Sequence, residues 1–464
     1  MSLLKSSPFR PHPRQAFRRW IGRGLLAGLL GAGALWGVLP SPNAWAATIS
    51  VTTPTDEYNS DGDCSLREAV SAANNDSAVD GCAAGSGHDT IVLPAGNYTL
   101  SIAGNEDLGL QGDLDLKSDI TLTGAGPNAT VITAAANDRV FEIGPSGGEN
   151  PAITLAHLAI TGGNPGGGGW AGGAISLYRG SLILAAVHVR HNPGGVYAVT
   201  ASNATDLTIV DSRVDFNYGG ISISPAATAL ILRSTISGNV IGNVYDGGGI
   251  DNAGSLVVVN STLSGNQTDY DGGGLANTGT AELNNVTIAN NRADADGNGN
   301  GYGGGIYQTG TLTLRNSLVG DNLLGTSATS TIDCSGTLTS AGHNLVETTT
   351  GCTFATTTGD ITGLDPALDM LANYGGPVFT IRLQASSPAI DAGNPAGCTD
   401  ENAAILTIDQ RGYARDAACD IGAYEADSAG TPTPTAAATA TATATAEPTP
   451  SDLYLVSLQR EATP

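Results

Sequence analysis

The sequence predicts an all-β solenoid of short parallel strands, and three observations carry that expectation. Gly-rich starts ending in an apolar residue recur at Ile175, Val196, Ile221, Ile250, Leu275 and Ile306, in steps of 21 to 31 residues. A stricter column pairs an apolar residue with Asn three places later: Val189/Asn192, Val214/Asn217, Ile236/Asn239, Leu263/Asn266, Ile288/Asn291 and Val319/Asn322. Between these columns lie β-branched runs such as Ser255-Leu256-Val257-Val258-Val259-Asn260, with no helical periodicity. One such coil cannot bury both faces of its strands. Stacked coils can, each strand pairing with its equivalent ~4.8 Å above and below.

The composition narrows the class. Of 464 residues 41% are hydrophobic, 13% charged and 5% aromatic, and 64 are Gly. Gly has no three-residue period, which excludes collagen, and the clustered Val, Ile, Leu and Thr argue against wholesale disorder. A net charge of −24 makes nucleic acid a poor partner.

The first element, residues 1–46, reads as an export signal. It holds Lys5, Arg10, Arg14, Arg18, Arg19 and Arg23 with no acid, then the apolar stretch Gly24 to Leu39, then Ala44-Trp45-Ala46 as a small-x-small cleavage signal. Arg18-Arg19 leaves the general secretory and twin-arginine routes both open. Removal of the six basic residues takes the net charge from −24 to −30. The expected location is extracellular or at the cell surface, with no transmembrane span in the mature chain. Six cysteines in an exported chain favour disulfides over metal ligation, and their nearness in sequence favours Cys64–Cys82, Cys334–Cys352 and Cys398–Cys419.

Residues 47–87 form the next element. Within Asp61-Gly62-Asp63-Cys64-Ser65-Leu66-Arg67-Glu68-Ala69-Val70, Ser65-x-x-Glu68 is a capping box opening a short amphipathic helix through about Asn74. Its expected role is to plug the open end of the solenoid. The run Cys64-Ser65-Leu66-Arg67-Glu68-Ala69 closely resembles the CSLREA domain of bacterial secreted proteins.

The repeats occupy residues 88–358. Inward at a turn, each Asn can bond backbone groups and the Asn of the next coil, forming a ladder. The Gly runs let the backbone take φ > 0 at tight corners, and insertions fall between the Asn and the following Gly run, on one side. The stacked columns resemble the right-handed parallel β-helix of pectate-lyase-like and polymorphic outer-membrane proteins. Residues 359–426 carry Asn373-Tyr374-Gly375-Gly376-Pro377, Ser387-Pro388-Ala389-Ile390-Asp391-Ala392-Gly393, Asp409-Gln410-Arg411-Gly412 and Cys419-Asp420-Ile421-Gly422-Ala423-Tyr424-Glu425. These resemble the choice-of-anchor Q domain of bacterial surface proteins and imply a C-terminal cap. Residues 427–464 read as a disordered tail, with a Thr/Ala/Pro tract over 431–450.

For chemistry, the lyase resemblance implies calcium-binding carboxylates and a basic residue removing a proton beside a uronate carboxylate. The repeats from Gly172 to Asn322 offer Arg179, Arg190, Arg213, Arg233, Arg292 and Arg315 and no lysine. An arginine stays protonated and makes a weak base. Glycoside hydrolysis needs two carboxylates, which Asp246, Asp269 and Asp271 could supply by stacking. Calcium is the one metal suggested, at Asp294-x-Asp296-x-Asn298-Gly299, which matches the first half of a calcium loop but lacks the closing carboxylate at Gly305. A second partial match, Glu57-x-Asn59-x-Asp61-Gly62 with Glu68 at the twelfth place, competes with the capping box.

The aromatic pattern points to glycan. Trp170, Tyr218, Tyr245, Tyr270 and Tyr302 each stand just before a Gly run, with Asp246 and Asp271 following two of them. Stacked coils would align these rings and carboxylates along one edge, suited to a linear polysaccharide; the competing reading is that Tyr covers exposed Gly backbone. The expectation is a non-catalytic adhesive, glycan-binding or structural protein, with a polysaccharide lyase or glycoside hydrolase acting on an acidic extracellular polysaccharide as the alternative. His157 and His191 read as structural.

Overall fold

In a computed structural model the described residues are 46–104, 107–135, 138–145, 150–165, 172–194, 197–242, 245–327, 330–400, 402 and 404–426. The export signal (but for Ala46), the C-terminal tail and Trp170 lie outside them.

The coils share three faces, and among the described residues four of them add a short fourth ladder. In one, a strand at Ile250–Asn252 forms one face, Ser255–Val259 a second, Thr262–Ser264 a third, and Gln267–Thr268 a short fourth ladder before the next Gly run. All these strands pair in parallel with their equivalents in neighbouring coils. Leu207, Ala229, Leu256, Ala281 and Leu312 stand in register, as do Ile209, Ile231, Val258, Leu283 and Leu314. The second set is fully buried, while Ser255, Thr280 and Glu282 on alternate positions are exposed. The period-2 pattern therefore fills the interior with aliphatic stacks, each Leu or Ile contributing about 2 kcal/mol over exposure.

The Asn column runs as one buried chain of amides. Asn192 Nδ2 donates to Asn217 Oδ1 (2.8 Å), Asn217 to Asn239 (2.9 Å), Asn239 to Asn266 (2.9 Å), Asn266 to Asn291 (3.0 Å) and Asn291 to Asn322 (3.0 Å). The chain ends on a carboxylate, Asp333 Oδ1, 2.9 Å from Asn322 Nδ2. Each amide also serves the backbone: Asn266 Nδ2 donates to the Ile236 carbonyl, and its Oδ1 accepts from Asn239 N. A second buried ladder, absent from the sequence reading, joins Asn252, Asn277 and Gln308.

The corners divide two kinds of work. Gly247, Gly272 and Gly303, each the first of a Gly triplet, take φ of 63–68°. The Gly after them is required by proximity, since a Cβ on Gly248 would lie 2.5 Å from the Gln267 carbonyl oxygen. The other corner, between the second and third faces, is left-handed without glycine. His157, Ala186, Asp211, Arg233, Asn260, Asn285, Asn316 and His343 form a column with φ between 44° and 57°. Stacking holds these residues where an isolated chain would favour Gly.

At the N-terminal end the helix Leu66–Asn74 begins with the full capping box: Glu68 N donates to Ser65 Oγ (3.2 Å) and Ser65 N to Glu68 Oε2 (3.0 Å). It packs against Thr48–Ser50, Asp89–Val92 and Leu114–Leu116. Arg67 fastens it there, fully buried, with Nε 2.7 Å from Asp56 and the guanidinium donating to the carbonyls of Gly109 and Gly112. Disulfides join Cys64 to Cys82, Cys334 to Cys352 and Cys398 to Cys419.

The C-terminal segment packs on Leu318 and Leu345 through Leu383, Ala389, Ile421 and Tyr424, and it also runs back along the left-handed corner. Ala392 O meets His343 Nδ1, Asn394 N donates to Asn316, Asn285 to Thr399 O, and Asn260 to Ile408 O. Gln410 reaches Ser234 O and Thr262 Oγ1, and the Arg213 guanidinium lies 3.8 Å from the Phe379 ring centroid. The segment is thus a side strap as well as a closure.

Loss of a ladder amide has a definite cost. Asn266→Ala is expected to destabilise the fold by about 3 kcal/mol, because several buried partners lose their bonds; Glu282→Ala, on an exposed face, stays within about 0.5 kcal/mol. Urea-unfolding midpoints check both values.

Candidate functional site

The loops between the fourth ladder and each Gly run gather the tyrosines and aspartates beside the first face. On that face Thr200, Ser222, Asp251, Ala276 and Tyr307 stand in register from coil to coil. Asp251 lies between the inward-facing Ile250 and Asn252, so the strand turns it outward.

The centre is Tyr197, 1% exposed. Its hydroxyl donates to the Asp246 carbonyl (2.6 Å) and stands 3.2 Å from Asp251 Oδ2. Tyr218 and Tyr245 pack against Tyr197 and Ile241. Asp246 Oδ1 accepts from Asp271 N (3.1 Å), and Asp271 Oδ1 accepts from Tyr302 N (2.7 Å). The Tyr307 hydroxyl also donates to Asp271. The successive coils of Asp246, Asp271 and Tyr302 are laced together this way, Tyr197 ties in from two coils earlier, and each tie uses a carboxylate or a carbonyl as acceptor. Tyr270 is half-buried, and Tyr302 is 55% exposed. The structure therefore gives Tyr218 and Tyr245 packing contacts and leaves the Tyr302 ring open.

Burial raises all three carboxyls. Asp251 and Asp271 are each pushed to about 6 by burial, with the nearby Asp246 charge adding to it, and Asp246 itself is raised by burial. Among the described residues none of the three is ion-paired with Arg or Lys. The arginines lie elsewhere. Arg190 and Arg213 are on the third face, Arg233 is paired to Asp211 at the left-handed corner, and Arg315 ends a second-face strand. Arg292 donates to the Gly325 carbonyl, and Arg179 sits in the turn before Ser181. His188 stands 2.5 Å from Asp215, which also pairs with Arg213, well away from the tyrosines on the strapped third face. His191 stacks on Phe216, and His157 is one of the left-handed corner residues.

Sequence reasoning missed Tyr197, Asp251 and Tyr307. None stands before a Gly run; only the register between coils brings them to this edge.

The calcium candidates have separate geometries. Asp294 Oδ1 accepts from Gly299 N, Asp296 from Asn298, and Asn298 Oδ1 from Asn300 N, so these oxygens are engaged by their own loop. At the N-terminal cap, Glu57, Asp61 and Asp63, and again Asp63, Glu68 and Asp80, bring carboxylate oxygens within 4.8 Å of one another. Glu68 there keeps its bonds to Ser65 N and Asn59 N. Asp113, Asp115 and Glu142 form a third such group, beside Arg139. Two cavities lie away from the tyrosine edge. One of about 400 Å³ is lined by Glu347, Thr348 and Asp365, and one of about 270 Å³ by His188, Arg213 and Pro377.

Comparison with known proteins agrees with the architecture. The family described as right handed beta helix region matches residues 153–358. The described strands and that match make the chain an all-β right-handed parallel β-helix. The crystal structure of pectate lyase Pel9A is similar at 15% identity and a TM-score of 0.47, covering 82% of this chain and 96% of that one. No curated protein sequence matches. No helix among the described residues is long and apolar enough to cross a membrane.

The raised carboxyls fix the sign of the pH response. Asp113 is pushed to about 8 and Asp333 to about 7, burial being the first cause in each, with Asp251 and Asp271 at about 6. Unfolded, these groups titrate near 3.8. The folded state therefore binds more protons between the two values. Their contribution is fully present below the unfolded pKa and is lost as pH rises through the folded one. The melting temperature is expected to fall from pH 4 to pH 8, and Asp113→Asn to remove the largest part of the slope above pH 7, with Asp333 and Glu425, at about 7, leaving the rest, followed by circular dichroism.

Proposed function

We propose that this is an exported, extracellular or cell-surface protein whose β-helix holds a polysaccharide along the tyrosine edge without cleaving it. The observation that carries this reading is the convergence of Asp246, Asp251, Tyr270, Asp271, Tyr302 and Tyr307 from three successive coils. An open phenol ring offers a sugar face an apolar surface, and half-buried carboxylates accept hydroxyl protons with fixed geometry. The three disulfides are compatible with an oxidising, extracellular location. On this reading residues 47–87 are a CSLREA-type cap, residues 359–426 a choice-of-anchor Q-like closure, and any calcium is structural.

The catalytic alternative rests on Asp251 and Asp271, whose raised pKa values suit a proton donor. Against elimination on an acidic polysaccharide stands the lack of a paired Arg or Lys at this edge among the described residues, since a uronate carboxylate needs neutralising.

Tyr270→Ala combined with Tyr302→Ala is expected to lower glycan affinity about tenfold, from the lost ring contacts, with a small fall in melting temperature from the half-buried Tyr270 that Tyr302→Ala alone does not show. A glycan array followed by titration on the best hit reads this. The same glycans incubated with the protein and calcium are expected to show no new reducing or unsaturated ends; their appearance would establish the enzymatic alternative.

A further inference from the structure

Among the described residues the strand Thr48–Ser50 pairs on one side only, with Asp89–Val92, and so forms the first rung of the second face. A three-residue edge rung frays unless it is tied down. On its C-terminal side Val51 N donates to the Val92 carbonyl (3.0 Å) and Thr52 N to the Cys64 carbonyl (2.8 Å). On its N-terminal side the Ala47 carbonyl accepts from Thr90 N (2.8 Å), and Ala47 N donates to Asp89 Oδ1 (3.1 Å). Asp89 is fully buried, and the same oxygen accepts from Ser86 N (2.7 Å). Its other oxygen, Oδ2, is buried with no hydrogen-bond partner, and among the described residues Asp89 has no ion pair with Arg, Lys or His. A Cβ on Gly85 would lie 2.4 Å from that oxygen and 2.8 Å from the Ala72 carbonyl oxygen, in the last turn of the cap helix Leu66–Asn74. The carboxylate thus stands by the negative end of a helix dipole. A buried carboxylate with an idle oxygen in such a place is costly and calls for a cation.

The nitrogen beside it is the one that leader removal would set free. Ala46 is exposed and precedes the strand, and Ala44-Trp45-Ala46 is the small-x-small signal read above. We propose that cleavage of the Ala46–Ala47 bond by a leader-removing endopeptidase creates an α-ammonium that pairs with buried Asp89 and locks the first rung against the cap helix. This rests on the export reading above. In the hydrolysis the C–N bond breaks and the water oxygen joins the Ala46 carbonyl carbon. Both water protons end on the Ala47 nitrogen, which keeps its own. An amide with one neutral N–H becomes a cation with three donors. One keeps the bond to Oδ1, and the others are available to the idle Oδ2 as charge-assisted bonds in a site withdrawn from solvent. The uncut chain has the single amide donor, so its first rung is held more weakly. Processing then completes the fold at this end.

The test secretes the full chain, leader included, from an export-competent bacterial host in three forms. One is unaltered. One has Gly-Ser inserted between Ala46 and Ala47, which moves the ammonium away from Asp89. The third is Ala47→Gln, whose new N-terminus cyclises to a neutral lactam that keeps one N–H and loses the charge. Intact mass reads where each product begins, and hydrogen–deuterium exchange reads the opening of residues 48–51. The unaltered product is expected to begin at Ala47 and to exchange there about tenfold more slowly than the other two. Asp89→Asn in the unaltered chain abolishes that difference, while Glu282→Gln, an exposed acid on the second face, leaves it intact. The lactam form keeps Asp89 itself, so the comparison stands even where Asp89→Asn fails to fold. Equal exchange in the three forms, with the product beginning at Ala47, overturns the pairing and leaves export standing. A difference that survives Asp89→Asn also overturns it, because the carboxylate is then not the partner. A product that keeps its leader overturns both the export reading and the proposal, and one cut elsewhere overturns the proposal alone.

Discussion

Everything in this molecule depends on equivalent positions of successive coils standing one strand spacing apart. No coil can satisfy its own backbone or bury its own side chains, so each borrows both from its neighbours. The Asn ladder makes that dependence specific. An amide that donates upward and accepts from below fits one register, and a slip by one residue would turn the whole column to the wrong face. Ending the ladder on Asp333 is consistent with this: a carboxylate accepts from Asn322 and from Thr348 N and needs no further amide to donate into.

The same stacking builds the candidate site. Residues far apart in the chain become neighbours, so the edge is assembled from whatever occupies matching places in adjacent coils. Asp246 and Asp271 are matched in this way, and so are Asp251 and Ser222. Repetition concentrates like charges as readily as it concentrates aliphatic side chains. At Asp251 and Asp271 burial raises the carboxyl pKa values, and the stacked charge of Asp246 adds to it.

What could be read from the sequence was whatever repeats or is local. The Asn column, the Gly triplets and the Ser65–Glu68 capping box are short patterns with one physical explanation each. The edge tyrosines were visible through their place before the Gly runs. Tyr197, Asp251 and Tyr307 were hidden because their role comes from register, which the variable coil lengths conceal. The left-handed corner was hidden for another reason: His157, Ala186 and Arg233 carry no mark of φ > 0, and stacking alone imposes it. Arg67 and Gln410 act across 42 to 46 and 175 to 176 residues, where no periodicity can point.

The side strap changes how the protein bears load. A linear stack held at its last coil would peel open one rung at a time under tension. Here a pull applied beyond Ala426 first meets Arg415 bound to Asn260, Ala423 bound to Thr287 and Gly422 bound to Asn316. Those ties belong to three different coils and would be strained in parallel, in shear. For a molecule tethered by its C-terminal end, force would be spread over the flank and the last rung spared.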